Sequence, residues 1–367
     1  MPKAIVIGGG IGGLASALAL VKAGWDVRVV ERAATIEPVG AALSLWSNAL
    51  QALDRLGVAD KIRSVGQPFS EMLVADQHGR PIFGPRASDG ESFIVTRAAL
   101  QAALFSSLPL HVVTLGCEVE KVEAGNGQTR VTLTDGAHVD ADLVVDAAGI
   151  RSIGRPNEQA TYRGYGGVVA ISDECDGHNL NGLAAEYWGW GERFGLFELT
   201  AHRRYWFYMR DQSADAAPPS HADILGNAAN WPAGIVEAVA ATPAERLIPF
   251  SIYAKPPPNS LKLGNMVHVG DAAHPMEPNL GQGACQALED AAALFVAATH
   301  CTLDKIPYEY ERLRLKRVSM IVNRSAEGRH GAHGFRLKQL AVRTGLRVMP
   351  NSITDKMSRL VQTMPNY

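Results

Sequence analysis

The chain of 367 residues has only four cysteines, Cys117, Cys175, Cys285 and Cys301. None stands in a C-x-x-C pair, so neither a disulfide framework nor a metal site is expected, and a reducing cytoplasm is the compartment that fits. No apolar run approaches the ~18 residues of a membrane span. The apolar start, Ala4 to Ile7, gives way at once to three glycines without a small-residue cleavage site, so no signal peptide is expected there. Charge of one sign is also lacking. Lys and Arg number 35 against 37 Asp and Glu, which removes the general case for nucleic-acid binding. Internal repeats and low-complexity tracts are absent. With 47% apolar and 20% charged residues this is an ordinary globular chain, long enough for two domains.

The balance of charge hides an asymmetry. Residues 304–367 hold 13 Lys/Arg and 5 Asp/Glu, leaving 22 against 32 for the rest. A basic helical face packing near an acidic surface is the expectation; phosphate binding is the alternative, and no spacing singles it out.

What is present begins at the N-terminus. Residues 3–7 read as a buried strand, Gly8 to Gly13 as a glycine-rich turn, 14–23 as a helix and 27–31 as a second strand ending in Glu31. Gly8, Gly10 and Gly13 stand in the G-x-G-x-x-G register. Gly8 permits the tight turn, Gly10 lets backbone approach a pyrophosphate, and Gly13 lets helix pack on strand. The helix start then offers free N–H groups and its positive dipole end to phosphates. Glu31 is placed to accept hydrogen bonds from both ribose hydroxyls, which suits FAD or NAD rather than NADP. Arg32, beside it, is grouped with the same site.

A second segment, 263–291, reads as strand, acid at the strand end (Asp271), a Pro/Gly loop through Pro278, and a helix from about Gly283. The Gly281, Gln282, Gly283 turn presents helix-start N–H groups able to stabilise a developing anion such as that of a reduced flavin.

Gly270-Asp271, Pro278 and Gly281-Gln282-Gly283 together resemble the second FAD fingerprint of the single-component (group A) flavoprotein monooxygenases. The segment around Arg97 and the Tyr310, Glu311, Arg314, Arg317 pattern resemble further landmarks of that family. The nearest likeness is to its branch of urate, salicylate and 6-hydroxynicotinate hydroxylases and zeaxanthin epoxidase. The resemblance implies an α/β fold: a Rossmann-like, doubly wound FAD-binding domain from 1–75, 97–160 and 261–303. A mainly antiparallel substrate-binding sheet from 76–96 and 161–260 would be inserted in it, with C-terminal helices over 304–367. It implies that Gly8, Gly10 and Gly13 face the pyrophosphate and that Arg97 contacts the phosphate-ribityl region. Asp271 would hold the ribityl or pyrophosphate, the backbone of Gly281, Gln282, Gly283 and Ala284 would face the flavin pyrimidine edge, and Pro278 would line the reaction face.

One departure stands out. Where the family carries an Asp-Gly pair associated with FAD and the nicotinamide coenzyme, this chain has Ala148-Gly149, with Asp146 two residues earlier. That places coenzyme use, NADH or NADPH, in question more than FAD binding.

Residues 162–253 alternate and are rich in aromatics, as strands with one buried face are. Arg193 and Tyr205 occupy positions that resemble substrate contacts of the urate-hydroxylating branch. Arg193 could pair with an anionic group, and Tyr205 could donate a hydrogen bond or relay a proton; the same aromatic run also reads as sheet core. His274 reads as a locally bonded loop residue and Cys285 as a small helix residue under the flavin.

The expected function is an FAD-dependent monooxygenase that hydroxylates a small aromatic or heteroaromatic substrate. The resemblance implies NAD(P)H as reductant and O2 adding at flavin C4a to give a hydroperoxide that transfers oxygen to the ring. A flavoprotein oxidase or reductase of the same fold, and a non-catalytic flavin-binding redox protein, are the alternatives.

Overall fold

The computed structural model describes residues 1–36, 40–124, 127–175 and 180–367. Lys3–Ile7 is the central strand of a six-stranded sheet in the order Lys262–Leu263, Met266–His268, Leu143–Asp146, Lys3–Ile7, Asp26–Val30, Val113–Thr114. All neighbours run parallel except the first two, which form a hairpin. Ala4, Ile5, Val6 and Ile7 are each no more than 6% exposed, as a parallel strand covered on both faces requires.

The first helix, Ile11–Lys22, starts earlier than the sequence pattern predicts, because its first turn is made of the glycine motif itself. It packs along Gly283–His300, and the two first turns touch. A Cβ on Gly12 would lie 3.5 Å from Ala287 Cβ. Small residues on both helices allow that approach.

A seven-stranded sheet forms the second body, in the order Ile248–Ala254, Thr161–Ile171, Arg204–Asp211, Glu192–Glu198, Leu183–Trp188, Glu71–Asp76, Pro81–Ala87. Its pairs are antiparallel except Leu183–Trp188 with Glu71–Asp76. The chain thus enters this sheet before residue 76, while Phe93–Thr96 pairs instead with Ala42–Leu45 in a small separate sheet. Pairing decides both cases. Glu71–Asp76 finds a partner on each side in the large sheet, and Phe93–Thr96 is held between Ala42–Leu45 and Gln67–Pro68.

One face of the large sheet is closed by His221–Ala228 and Ala233–Ala240. Phe194, Trp206 and Tyr208 pack there against Ile224, Ile235 and Val239. The other face turns toward the nucleotide-type sheet. Three helices, Ile306–Gly328, Arg336–Val348 and Asn351–Gln362, complete the chain.

Candidate active site

The glycine motif makes the first half of the site. Gly8 has φ +103°, and a Cβ there would sit 2.5 Å from the Ala147 carbonyl oxygen. A Cβ on Gly13 would fall 1.9 Å from the Gly8 carbonyl, so only glycine lets this helix meet this strand. Gly10 differs: nothing lies within 4 Å of where its Cβ would be, so the backbone there faces open space at the helix start. That space belongs to a cavity of about 1280 Å³ lined by Gly8, Gly10, Glu31, Arg32, Ala148 and Arg155 among others. Glu31 follows the strand Asp26–Val30 directly. Its carboxylate accepts from the N–H groups of Gly9 (2.5 Å) and Ala33 (2.8 Å), which fixes it at the cavity rim with lone pairs to spare.

Thr96 caps the helix Arg97–Phe105, its hydroxyl accepting from Ala99 N at 3.0 Å. Gln101 of that helix donates to the Gly9 carbonyl at 3.0 Å, and Arg97, one turn earlier, shares its face. The Arg97 guanidinium is exposed and has no hydrogen bond or ion pair among the described residues.

The second half is the loop from Gly270 to Gly283. Asp271 lies exposed in a short 3₁₀ turn just beyond the strand Met266–His268. Pro278 opens another such turn, and Gly281 closes it at φ +61°. A Cβ on Gly281 would lie 2.8 Å from Ser44 Oγ, so the loop is pressed onto the strand Ala42–Leu45. Gln282 is buried with its Nε2 unpartnered, and Gly283 has nothing within 4 Å of its Cβ position. The two glycine turns therefore bring two helix N-termini, two open backbone surfaces and a free guanidinium to one edge of the parallel sheet. Those are the features a dinucleotide with a pyrophosphate needs, and the residues fit FAD.

Across from this loop stands the open face of the large sheet. Strand register puts Arg193, Gly195 and Phe197 opposite Met209, Phe207 and Tyr205, all on one side. A Cβ on Gly195 would strike the Phe207 ring at 2.2 Å, so the glycine makes room for that ring. Arg193 is 1% exposed. Its guanidinium donates to Asn279 Oδ1 at 2.7 Å and pairs with Glu186 at 3.3 Å, while its Nε is buried without a partner. Tyr205 is half-buried and stacks on Phe197 at 5.4 Å, and its hydroxyl has no hydrogen bond among the described residues. Burial, with the negative Glu186 nearby, pushes that hydroxyl's pKa above its usual value.

The family profile described as an FAD binding domain matches residues 2–301. Aurachin C monooxygenase/isomerase of Stigmatella aurantiaca is 31% identical over 331 residues, 87% of this chain and 86% of that protein. FAD-dependent urate hydroxylase of Klebsiella pneumoniae is 30% identical over 361 residues, 90% and 91% of the two chains. The crystal structure of Klebsiella pneumoniae HpxO complexed with FAD and uric acid superposes with a TM-score of 0.88 at 27% identity, covering 99% and 97% of the chains. The chain belongs to the single-component FAD-dependent aromatic hydroxylase family.

In this flavoprotein a set of buried charges supports the loop from Gly270 to Gly283. Asp290 is fully buried in the helix Gly283–His300. It accepts from Gly270 N at 2.8 Å, His274 Nε2 at 2.7 Å and Arg314 at 2.7 Å. Glu289, beside it, is held by Arg314 at 2.6 Å, Arg317 at 2.9 Å and Asn48 at 2.6 Å. Burial alone would raise both carboxyl pKa values, yet both lie below the ordinary range, because the cations and hydrogen bonds around them outweigh desolvation. The excess positive charge of the C-terminal region is in part spent here, on two acids of the nucleotide half. His274 is thus a strut of the loop. Cys285 is buried, its thiol pushed up to about 12 by burial.

Sequence reasoning overlooked a second cluster. Glu277, 2% exposed, accepts from Arg163 at 2.7 Å and from the Tyr165 hydroxyl at 3.0 Å, and ties the sheet to the turn that carries Pro278. Only its place one residue before Pro278 hinted at this. Asp146, the acid nearest the family's missing aspartate, is fully buried. It accepts from Ser152 at 2.5 Å, Gly154 N at 3.1 Å and Ala148 N at 3.1 Å, and meets His268 at 3.1 Å. Its lone pairs are taken within the fold, and Ala148 alone of the pair lines the cavity.

Proposed function

We propose that this hydroxylase-family protein is an NAD(P)H-dependent monooxygenase that inserts one oxygen atom of O2 into a small aromatic or heteroaromatic ring. FAD, when bound, supplies the relay of electrons from the coenzyme to O2 and the activation of that oxygen. The chain supplies the rest. Gly8, Gly10 and Gly13 open the backbone to the pyrophosphate, Glu31 with Arg32 serves the adenosine ribose end, and Arg97 and Asp271 serve the phosphate-ribityl stretch. The N–H groups from Gly281 to Ala284, at a helix start, hold negative charge on the pyrimidine edge. Pro278 lines the reaction face, and the apolar wall of Val169, Ile171, Phe197 and Phe207 keeps water out.

The observation that carries the substrate reading is the pair of unused donors on that wall. The buried Arg193 Nε has no partner, and the Tyr205 hydroxyl, whose pKa burial raises further above the ordinary tyrosine value, has none among the described residues. Because Glu186 already offsets the Arg193 charge, the site favours a neutral ring bearing a carbonyl or ring nitrogen over a free carboxylate. The relatives' urate and uric acid are nitrogen heterocycles with ring carbonyls and no carboxylate group, which agrees with those acceptors.

The test is anaerobic reduction of the bound flavin by NADH and by NADPH, with and without a panel of neutral and acidic aromatic compounds, followed by product analysis in air. Bleaching that one neutral ring accelerates, with an oxygenated product, supports the proposal. Stoichiometric peroxide without such a product would convert the reading to an oxidase. A flavin that neither coenzyme bleaches would favour a redox protein without coenzyme chemistry, the reading to which Ala148 and the engaged Asp146 lend weight.

A further inference from the structure

Two C-terminal helices carry an exposed row of apolar residues. In Arg336–Val348 the buried side chains are Gln339 and Arg343, which donate to the carbonyls of Gly334 and Gly331 at 2.8 Å each. Leu346 packs inward against the cluster of Val74, Ile82, Trp188 and Ala332, but other apolar residues point outward: Leu337 is 83% exposed, Leu340 51% and Val348 74%, with Phe335 at its start 87% exposed. Asn351–Gln362 repeats the pattern. Thr354, Val361 and Gln362 are buried, whereas Ile353, Met357 and Leu360, at i, i+4 and i+7 on one helix face, are exposed. Trp190, exposed beside Arg336 and Arg343, extends the apolar surface. A soluble face of this size calls for a partner.

Charge decides which partner. Of the seven Lys/Arg in residues 329–362, Arg343 is buried and Arg329, Arg347 and Arg359 face Glu277, Asp76 and Asp89, which leaves Arg336, Lys338 and Lys356 exposed beside one acid, Asp355. In a two-fold interface this face would meet its own copy, bringing together two surfaces of like net charge. An anionic surface suffers no such repulsion, and aromatic and aliphatic residues flanked by Lys and Arg suit the headgroup boundary of a bilayer. No described helix is long and apolar enough to cross a membrane, so the contact is peripheral. We infer that the helices Arg336–Val348 and Asn351–Gln362 dock the protein on anionic lipid bilayers.

The test is flotation of the full chain, loaded with FAD, with vesicles of phosphatidylcholine alone or with one-quarter phosphatidylglycerol, at low and physiological salt. Binding at least tenfold stronger to the anionic vesicles is expected. F335S/L337S should lower it at least fivefold, and so should K338E, while the flavin spectrum and far-UV dichroism stay as in the parent. Equal binding to both vesicle types would overturn the inference. So would a failure to bind, whether the protein is monomeric or forms, by light scattering, a dimer that F335S/L337S dissolves.

Discussion

Arg314→Met tests whether the C-terminal helix holds the FAD loop in place. The native guanidinium is fully buried. It donates to Asp290 and Glu289, to the Tyr367 hydroxyl at 3.0 Å, and to both the carbonyl (3.2 Å) and side chain (2.8 Å) of Gln286. Methionine fills comparable volume but leaves two buried carboxylates short of their main cation, a loss of about 3–5 kcal/mol. With unfolding entropy near 2.1 cal/mol/K per residue, a cooperative chain of this length has an entropy of about 0.8 kcal/mol/K, so Tm should fall by about 4–6 °C. The sign with pH follows from the depressed native carboxyl pKa values. Their stabilisation is fully present above the unfolded value of about 4 and is lost as pH falls through the native values, so the Tm gap between parent and variant should be widest at neutral pH and close in acid. Thermal dichroism of the FAD-loaded proteins from pH 7 to pH 3, with retained flavin read after gel filtration, measures both effects. A Tm loss below about 1 °C, or a gap that ignores pH, would refute the reasoning.

The glycines should separate by role. Gly13→Ala, whose Cβ would collide with the Gly8 carbonyl, should lower Tm and FAD content together. Gly10→Ala, pointing into open space, should leave the apo-protein Tm unchanged but weaken FAD binding about tenfold, or 1.4 kcal/mol, by fluorescence titration. Tyr205→Phe should keep FAD and Tm yet raise KM for the ring at least threefold, about 0.7 kcal/mol of lost hydrogen bonding. Ala148→Asp should lower the coenzyme KM, and an unchanged KM would show that position 148 does not govern coenzyme binding.

The nucleotide half was legible because its signals are backbone constraints tied to fixed spacing. A glycine that must admit a carbonyl at 1.9 Å, as Gly13 must, leaves a mark in the sequence that no neighbour can imitate. The helix at Gly283 announced itself in the same way, through Gly281 in its left-handed conformation. The boundary of the large sheet was harder to read. Glu71–Asp76 is a strand whether it joins one sheet or another, and its choice rests on Leu183–Trp188, more than a hundred residues later. The charged struts were illegible for a related reason. Glu289 and Asp290 read as surface acids of an ordinary helix until Arg314 and Arg317 are brought against them.

That difference bears on where substrate choice resides. The glycine turns proposed to hold the cofactor act largely through backbone, which tolerates few alternatives. The substrate wall is written in side chains of strands whose backbone would accept many others. On it Arg193 is braced through Asn279 to the turn that carries Pro278, and Asn279 in turn donates to the Ser325 carbonyl of the C-terminal helix at 2.7 Å. Arg193 is therefore positioned by the Gly270–Gly283 loop and the C-terminal helix together, while Tyr205 stacks on Phe197 of the neighbouring strand. Substitutions at Tyr205 should accordingly change which ring is accepted without disturbing the flavin, and substitutions at Arg193 or Asn279 should disturb both.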